Sequence, residues 1–147
     1  MITKAQYFGN KSYPVEHGRN ADILLGRVNG FLYEAAANGV YGYWIDPDTD
    51  TQISGAKGGS GDGGYRTQDS TTGASKSRHK YGKAVDVFDP DRILAKWILG
   101  NIDALVKAEL WCEDFQWTPG WCHFQSEPPG SGSRIYIPSS KPAPAPW

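Results

Sequence analysis

An aspartate set among apolar residues, in Ala84-Val85-Asp86-Val87-Phe88, constrains this chain more than any other segment. The alternation reads as a strand, with Val85 and Val87 on one face and Ala84, Asp86 and Phe88 on the other. A carboxylate on such a strand must be paired or coordinate a metal, because an isolated buried charge is too costly to keep. Small Ala84 leaves room beside it. Immediately upstream, Ser77-Arg78-His79-Lys80-Tyr81-Gly82-Lys83 supplies an imidazole, and Gly82 lets the chain bend back into the strand.

A second imidazole lies far downstream in Trp121-Cys122-His123-Phe124-Gln125, a short strand entered from Thr118-Pro119-Gly120. Period two places Trp121, His123 and Gln125 on one face and Cys122 and Phe124 on the other, which argues against Cys122 as a fellow ligand of His123. His79, Asp86 and His123 together make a complete three-ligand set for a catalytic zinc that keeps one position open. The competing reading makes His79 a surface residue beside Arg78 and Lys80, Asp86 a satisfied polar group and His123 an aromatic-packed histidine. The valines flanking Asp86 weigh against it.

The remaining segments frame these residues. Ile23, Leu24, Val28, Phe31, Leu32, Ala35 and Ala36 recur at helical spacing and predict a helix over about 18–37, stopped by Asn38-Gly39. Val40 to Ile45 reads as a turn or short strand ended by Asp46-Pro47-Asp48, and Thr51 to Ser54 as a strand. The following run, Gly55 to Gly64, lacks the lysine followed directly by Ser or Thr of a P-loop and reads as a flexible or ligand-shaping loop. Asp89-Pro90 resembles an N-cap and first-turn proline, with Ile93, Leu94, Trp97 and Ile98 on the packed face of the helix. Gly100-Asn101 separates it from a second helical piece bearing Ile102, Leu105, Val106 and Leu110.

A chain of 147 residues suits one domain, here expected over 1–138, with a proline-rich tail at 139–147. Fifteen basic against sixteen acidic residues leave no electrostatic footprint of a nucleic-acid binder. No segment has the length or apolarity for stable membrane insertion, and the N-terminus has no signal-peptide pattern. The expectation is a soluble product made in the cytoplasm, with Cys112 and Cys122 reduced. The architecture expected is α+β, a small antiparallel sheet with flanking helices on one side and the metal in a groove across it.

Ser77-x-His79-x-x-Gly82-x-Ala84-x-Asp86 resembles the zinc motif of the D-alanyl-D-alanine carboxypeptidase family, the M15 peptidases, and Trp121-x-His123 resembles its second histidine motif. The lead-in from Gly64-Tyr65-Arg66 to Ser77 and the ending Ser131-Gly132-Ser133-Arg134-Ile135-Tyr136-Ile137-Pro138 are similar to small phage and prophage proteins of that kind. The resemblance implies the fold of that family, a zinc ion (Zn2+) held by His79, Asp86 and His123, and hydrolysis of peptide bonds in bacterial peptidoglycan stem peptides. The bond would be the terminal D-Ala-D-Ala bond, for a carboxypeptidase, or one inside the stem such as L-Ala-D-Glu, for an endopeptidase. Phage lysis or local wall opening would be its use. A product made in the host cytoplasm would reach periplasmic or cell-wall peptidoglycan through a holin-type membrane hole or aboard a virion.

Such an enzyme needs a carboxylate to accept the proton of the attacking water and return it to the leaving amine. Best-studied members place a glutamate three residues before the second histidine, whereas this chain has Gly120 there. Glu113 is the first candidate for the general base, Asp114 the second and Glu127 a third. Arg66 is the candidate for holding a substrate carboxylate or the developing oxyanion, since a guanidinium forks onto planar carboxylates. Ser77 is assigned to the substrate or to the His79 loop, and Tyr65 and Trp121 to the cleft walls. Two alternatives stay open: a non-catalytic virion or wall-binding protein that keeps the zinc site, and a cytoplasmic dipeptidase for free D-Ala-D-Ala.

Overall fold

The computed structural model describes residues 1–45, 53–54 and 62–138. The segments around Asp46-Pro47-Asp48, most of the glycine-rich loop and the tail at 139–147 lie outside the described residues. The elements, in order, are α1 (Lys4–Phe8), α2 (Val15–Ala37), β1 (Ala84–Phe88), α3 (Ile93–Gly100), α4 (Ile102–Ala108), β2 (Trp111–Glu113), β3 (Trp121–Gln125) and β4 (Ile135–Tyr136). A short 3-10 turn, Arg78–Tyr81, precedes β1. The protein is thus a small α+β fold with a four-stranded sheet in the order β1-β3-β2-β4.

The sheet is mixed, where a purely antiparallel one was expected. β3 runs antiparallel to both β1 and β2, but β4 lies parallel to β2. The cause is topological. β2 already occupies one flank of β3 and β1 the other, so a chain that reverses once after β3 and joins the sheet beyond β2 runs in β2's direction. Thr51 to Ser54 contributes only an isolated bridge, Ile53 to Val87, within the described residues. Val40 to Ile45 forms turns without a strand, and burial of Trp44 anchors it.

Alternation on β1 and β3 builds the core. Val85, Val87, Cys122 and Phe124 are fully buried on one face, and Cys112 joins them from β2. Helix α2 covers that face, with the Phe31 ring tilted against Phe124 at 5.3 Å and Trp97 at 5.5 Å between centroids. Ala21, Leu24, Val28, Phe31, Leu32 and Ala35 form its buried stripe, each large side chain contributing about 1.5–3 kcal/mol by leaving water. Ile23 falls off the stripe and is exposed, as are Ile93, Ile102 and Val106 on the later helices. Helix α2 starts at Val15, earlier than its apolar spacing predicts, and Gly39, at φ +81°, follows its end. The short α1 was not foreseen, although Thr3 and Gln6 form a capping box that marks its start.

Asp89 caps α3 from a distance. The helix begins at Ile93 rather than at Pro90, and the Asp89 oxygens accept the amides of Leu94 at 3.1 Å and Ala95 at 2.9 Å. Two charge-assisted bonds satisfy helix-start donors that the left-handed Arg92 leaves uncapped. This ties the end of β1 to the helix layer, and the Asp89 amide in turn bonds Gly120 O at 2.8 Å, at the entrance to β3.

Gly82 ends the 3-10 turn in the left-handed region at φ +73°, and a Cβ there would lie 2.4 Å from the carbonyl oxygen of His17 on α2. Both features demand glycine, so Gly82 seats the His79 turn directly on α2. We expect Gly82→Ala to lower folding stability by at least about 2 kcal/mol, combining left-handed strain with overpacking. Denaturant melts of the two proteins check this.

Candidate metal centre

The face of the sheet opposite the core carries the titratable side chains. Asp86 on β1 stands directly across from His123 on β3, and Glu113 on β2 directly beside Tyr136 on β4. Cys112 pairs with Phe124, so continuing that antiparallel register by one residue brings Glu113 opposite His123. Asp86, His123, Glu113 and Tyr136 therefore form one polar row across all four strands. Residues opposite one another in a sheet share a face, which is why four side chains distant in sequence converge.

His79 reaches the row from the 3-10 turn. Its Nε2 lies 3.3 Å from Asp86 Oδ1, and His123 Nδ1 lies 2.9 Å from the same oxygen. The three side chains are buried, and their ligand atoms all fall within 4.8 Å of one another. Ser77 Oγ accepts the His79 amide and shapes the turn, and His79 Nδ1 meets the carbonyl of Gly64 at 2.9 Å. A carbonyl only accepts, so Nδ1 carries the proton and Nε2 turns a bare lone pair toward a carboxylate.

Two acceptors facing each other in a buried site need a cation between them. Burial alone would raise the Asp86 carboxyl, but the positive charge carried by the histidine pair outweighs it and holds Asp86 well below the usual carboxylate range. Burial lowers His79, and Asp86 only partly offsets this, so His79 is neutral and ready to coordinate. For His123, burial again lowers the pKa, yet the hydrogen bond to Asp86 and the charge of Glu113 prevail and raise it. Without metal, the positive charge that this site demands is thus a proton on His123. The donor set, two imidazoles and a carboxylate, fits a divalent ion such as zinc with open positions toward the cleft.

The centre opens into a cleft of about 840 Å³ lined by Arg66, Ser77, His79, Asp86, Glu113, Trp121, His123 and Tyr136, among others. Glu113 is buried at its wall, and its charge, after burial, helps hold the Tyr136 phenol well above its ordinary range. Asp114 is directed elsewhere. Its Oδ1 accepts the Gln116 amide in the turn after β2, and it does not line the cleft. Glu127 is tied by one oxygen to Arg78 at 3.1 Å and by the other to Lys83 at 3.0 Å. Of the three candidate bases, only Glu113 lines this cleft.

Arg66 is at the cleft, but much of its guanidinium is engaged. Nε donates to Asp62 O at 2.7 Å and Nη1 to Thr72 O at 3.4 Å, while Nη2 lies 3.5 Å from Asp86 Oδ2. It steadies the carboxylate oxygen that the histidines leave free. Tyr65 lies outside the cleft: it is 2% exposed, its hydroxyl bonds His17 Nδ1 at 2.8 Å, and its ring packs 4.9 Å from Phe8. The aromatic density near the N-terminus draws it into the α1 and α2 layer. Trp121 and Ser77 do line the cleft. Cys112 and Cys122 are buried in the core, where burial raises both thiols, and they face away from the centre. Tyr136 and Gln125 are site residues that sequence reasoning missed, although period two had put Gln125 on the face of His123.

No protein-family model, curated protein or solved structure matches the chain. No helix among the described residues is long and apolar enough to cross a membrane.

A proton on His123 must leave before that ring can coordinate, whereas His79 has none to give. Zinc binding near neutral pH is therefore expected to release about one proton, not two, and affinity should rise with pH until His123 is neutral. Calorimetry in buffers of different ionisation enthalpy measures the number. Replacing His79, Asp86 or His123 with alanine should each weaken zinc binding by at least about tenfold in a competition assay.

Proposed function

We propose that the protein is a zinc-dependent peptidase that hydrolyses peptide bonds in peptidoglycan stem peptides. The observation that carries this reading is the place of Glu113, buried at the cleft wall in the row beside His123. A zinc site that only stabilised a fold would have no need of a carboxylate at that position. The resemblance of Ser77 to Asp86 and of Trp121-x-His123 to the carboxypeptidase-type zinc motifs supplies the substrate class.

A bound zinc ion would supply Lewis acidity at His79, Asp86 and His123, activating water and polarising the scissile carbonyl. Glu113 accepts the proton of the water as its oxygen bonds to the carbonyl carbon. The same residue then passes that proton to the departing amine nitrogen as the carbon–nitrogen bond breaks. Gly120, which follows Pro119 at φ +96°, occupies the place of the expected glutamate in a backbone conformation that disfavours a side chain. Moving the base to β2 keeps the carboxylate on the site face without that strain. Arg66 retains N–H donors beyond its present contacts, and we assign it a substrate carboxylate as well as the support of Asp86. Trp121 and Ser77 wall the peptide path, and action on wall peptidoglycan in phage lysis is the setting we propose.

The purified protein should release stem-peptide fragments from peptidoglycan, detected by mass spectrometry, with loss on chelation and recovery on adding zinc. The fragment masses identify the bond. Glu113→Gln should lower kcat by about 10²–10⁴-fold while zinc affinity stays near that of the parent. Tight zinc binding with no product from polymer or free dipeptide would leave a non-catalytic zinc protein instead.

A further inference from the structure

We infer that Gln125 is a positioning residue that commits His123 to bind metal through Nδ1. The inference rests on the metal reading of the centre. His123 Nε2 lies 2.9 Å from Gln125 Oε1, on the side of the ring away from Asp86. An imidazole can take metal through either nitrogen, and which one is free depends on the partner of the other. If the facing amide atom is an acceptor, Nε2 keeps the proton and Nδ1 is left bare, directed at Asp86.

Two contacts make that atom an acceptor. Gln125 Nε2 donates to Glu127 O at 2.9 Å, which orients the amide with its oxygen toward His123. The Tyr136 hydroxyl donates to the same oxygen, reinforcing the assignment from β4. The Tyr136 phenol is held well above its ordinary range, by burial first and then by Glu113, so it remains a donor. Glu127 is itself clamped by Arg78 and Lys83, and Arg78 also donates to Pro128 O at 3.1 Å. The amide is therefore anchored to the segment that carries His79. Gln125 is fully buried, so water cannot substitute for it.

The arrangement joins both ligand-bearing segments. A shift of the 3-10 turn would move Glu127, then Gln125, then the tautomer preference of His123. Gln125 lines the cleft wall but does not coordinate the metal in this scheme. Its effect is on the ring that does.

The test compares Gln125→Met, which removes the acceptor at similar volume, with Gln125→Glu, which keeps an acceptor but loses the amide donor to Glu127. Zinc affinity by chelator competition is one readout, and long-range 1H–15N correlation of the His123 ring in the zinc-loaded proteins is the other. Gln125→Met should bind zinc about 10–100-fold more weakly and lose the slowly exchanging Nε2 proton, while Gln125→Glu stays within a few fold of the parent and keeps it. Parent-like affinity in Gln125→Met overturns the inference. Equal losses in both variants overturn it too, since the contact to Glu127 would then be what matters. Should Gln125→Met fail to fold, Gln125→Glu alone decides by the same proton signal and affinity. A parent protein that binds no zinc removes the metal reading and this inference together.

Discussion

Asp86 carries a charge into a sheet whose opposite face is fully apolar, and the fold is arranged so that this charge is never alone. Its Oδ1 faces both imidazoles, at 2.9 Å and 3.3 Å, and its Oδ2 faces Arg66 at 3.5 Å. An uncompensated carboxylate at 7% exposure would cost several kcal/mol, a large share of the stability of a domain this size. The turn at Gly82, the pairing of β1 with β3 and the placement of Arg66 all serve the same requirement. His123 and Arg66 bring a donor or positive charge to the carboxylate, and the Gly82 turn sets the His79 lone pair where a cation can bridge it to Oδ1.

The requirement also explains why the centre suits a metal. A protein that only needed to neutralise Asp86 would do so with one well-placed arginine. Here two histidines share one oxygen, and His79 is turned by Gly64 so that it presents a lone pair rather than a proton. Such an arrangement is satisfied by a cation at the junction, a proton on His123 or a divalent ion. The proton is the weaker solution, because only one of the two rings then contributes a favourable contact.

Much of this was legible in the residues. The period of Ala84 to Phe88 and of Trp121 to Gln125 set which side chains share a face, and both strands have the bounds the alternation predicts. The helix face of α2 followed from its spacing, as did the separation of Cys122 from His123. Asp89 was recognisable as a helix cap, but the helix it caps starts several residues later, because Arg92 takes a left-handed conformation that no local pattern announces. Asp114 stood as the second candidate base behind Glu113, and the three residues of β2 are too few to show a period that would separate them. Tyr65 resembled a cleft residue by its nearness to Arg66, yet aromatic packing with Phe8 and Tyr7 outweighed any exposure to the cleft.

Sequence alone thus determined the members of the His79, Asp86 and His123 cluster, the faces of the two long strands and the α+β class, since each rests on local periodicity and on the cost of burying one carboxylate. Tertiary structure decided the order of the strands, the parallel placement of β4 and which of the three candidate acids lines the cleft. Those depend on which strand lies beside β3 and on which anions are already bound by Arg78 and Lys83. Pairing between segments distant in sequence is set by loop closure and by competition for the same sheet edge, and neither leaves a local signature in the residues.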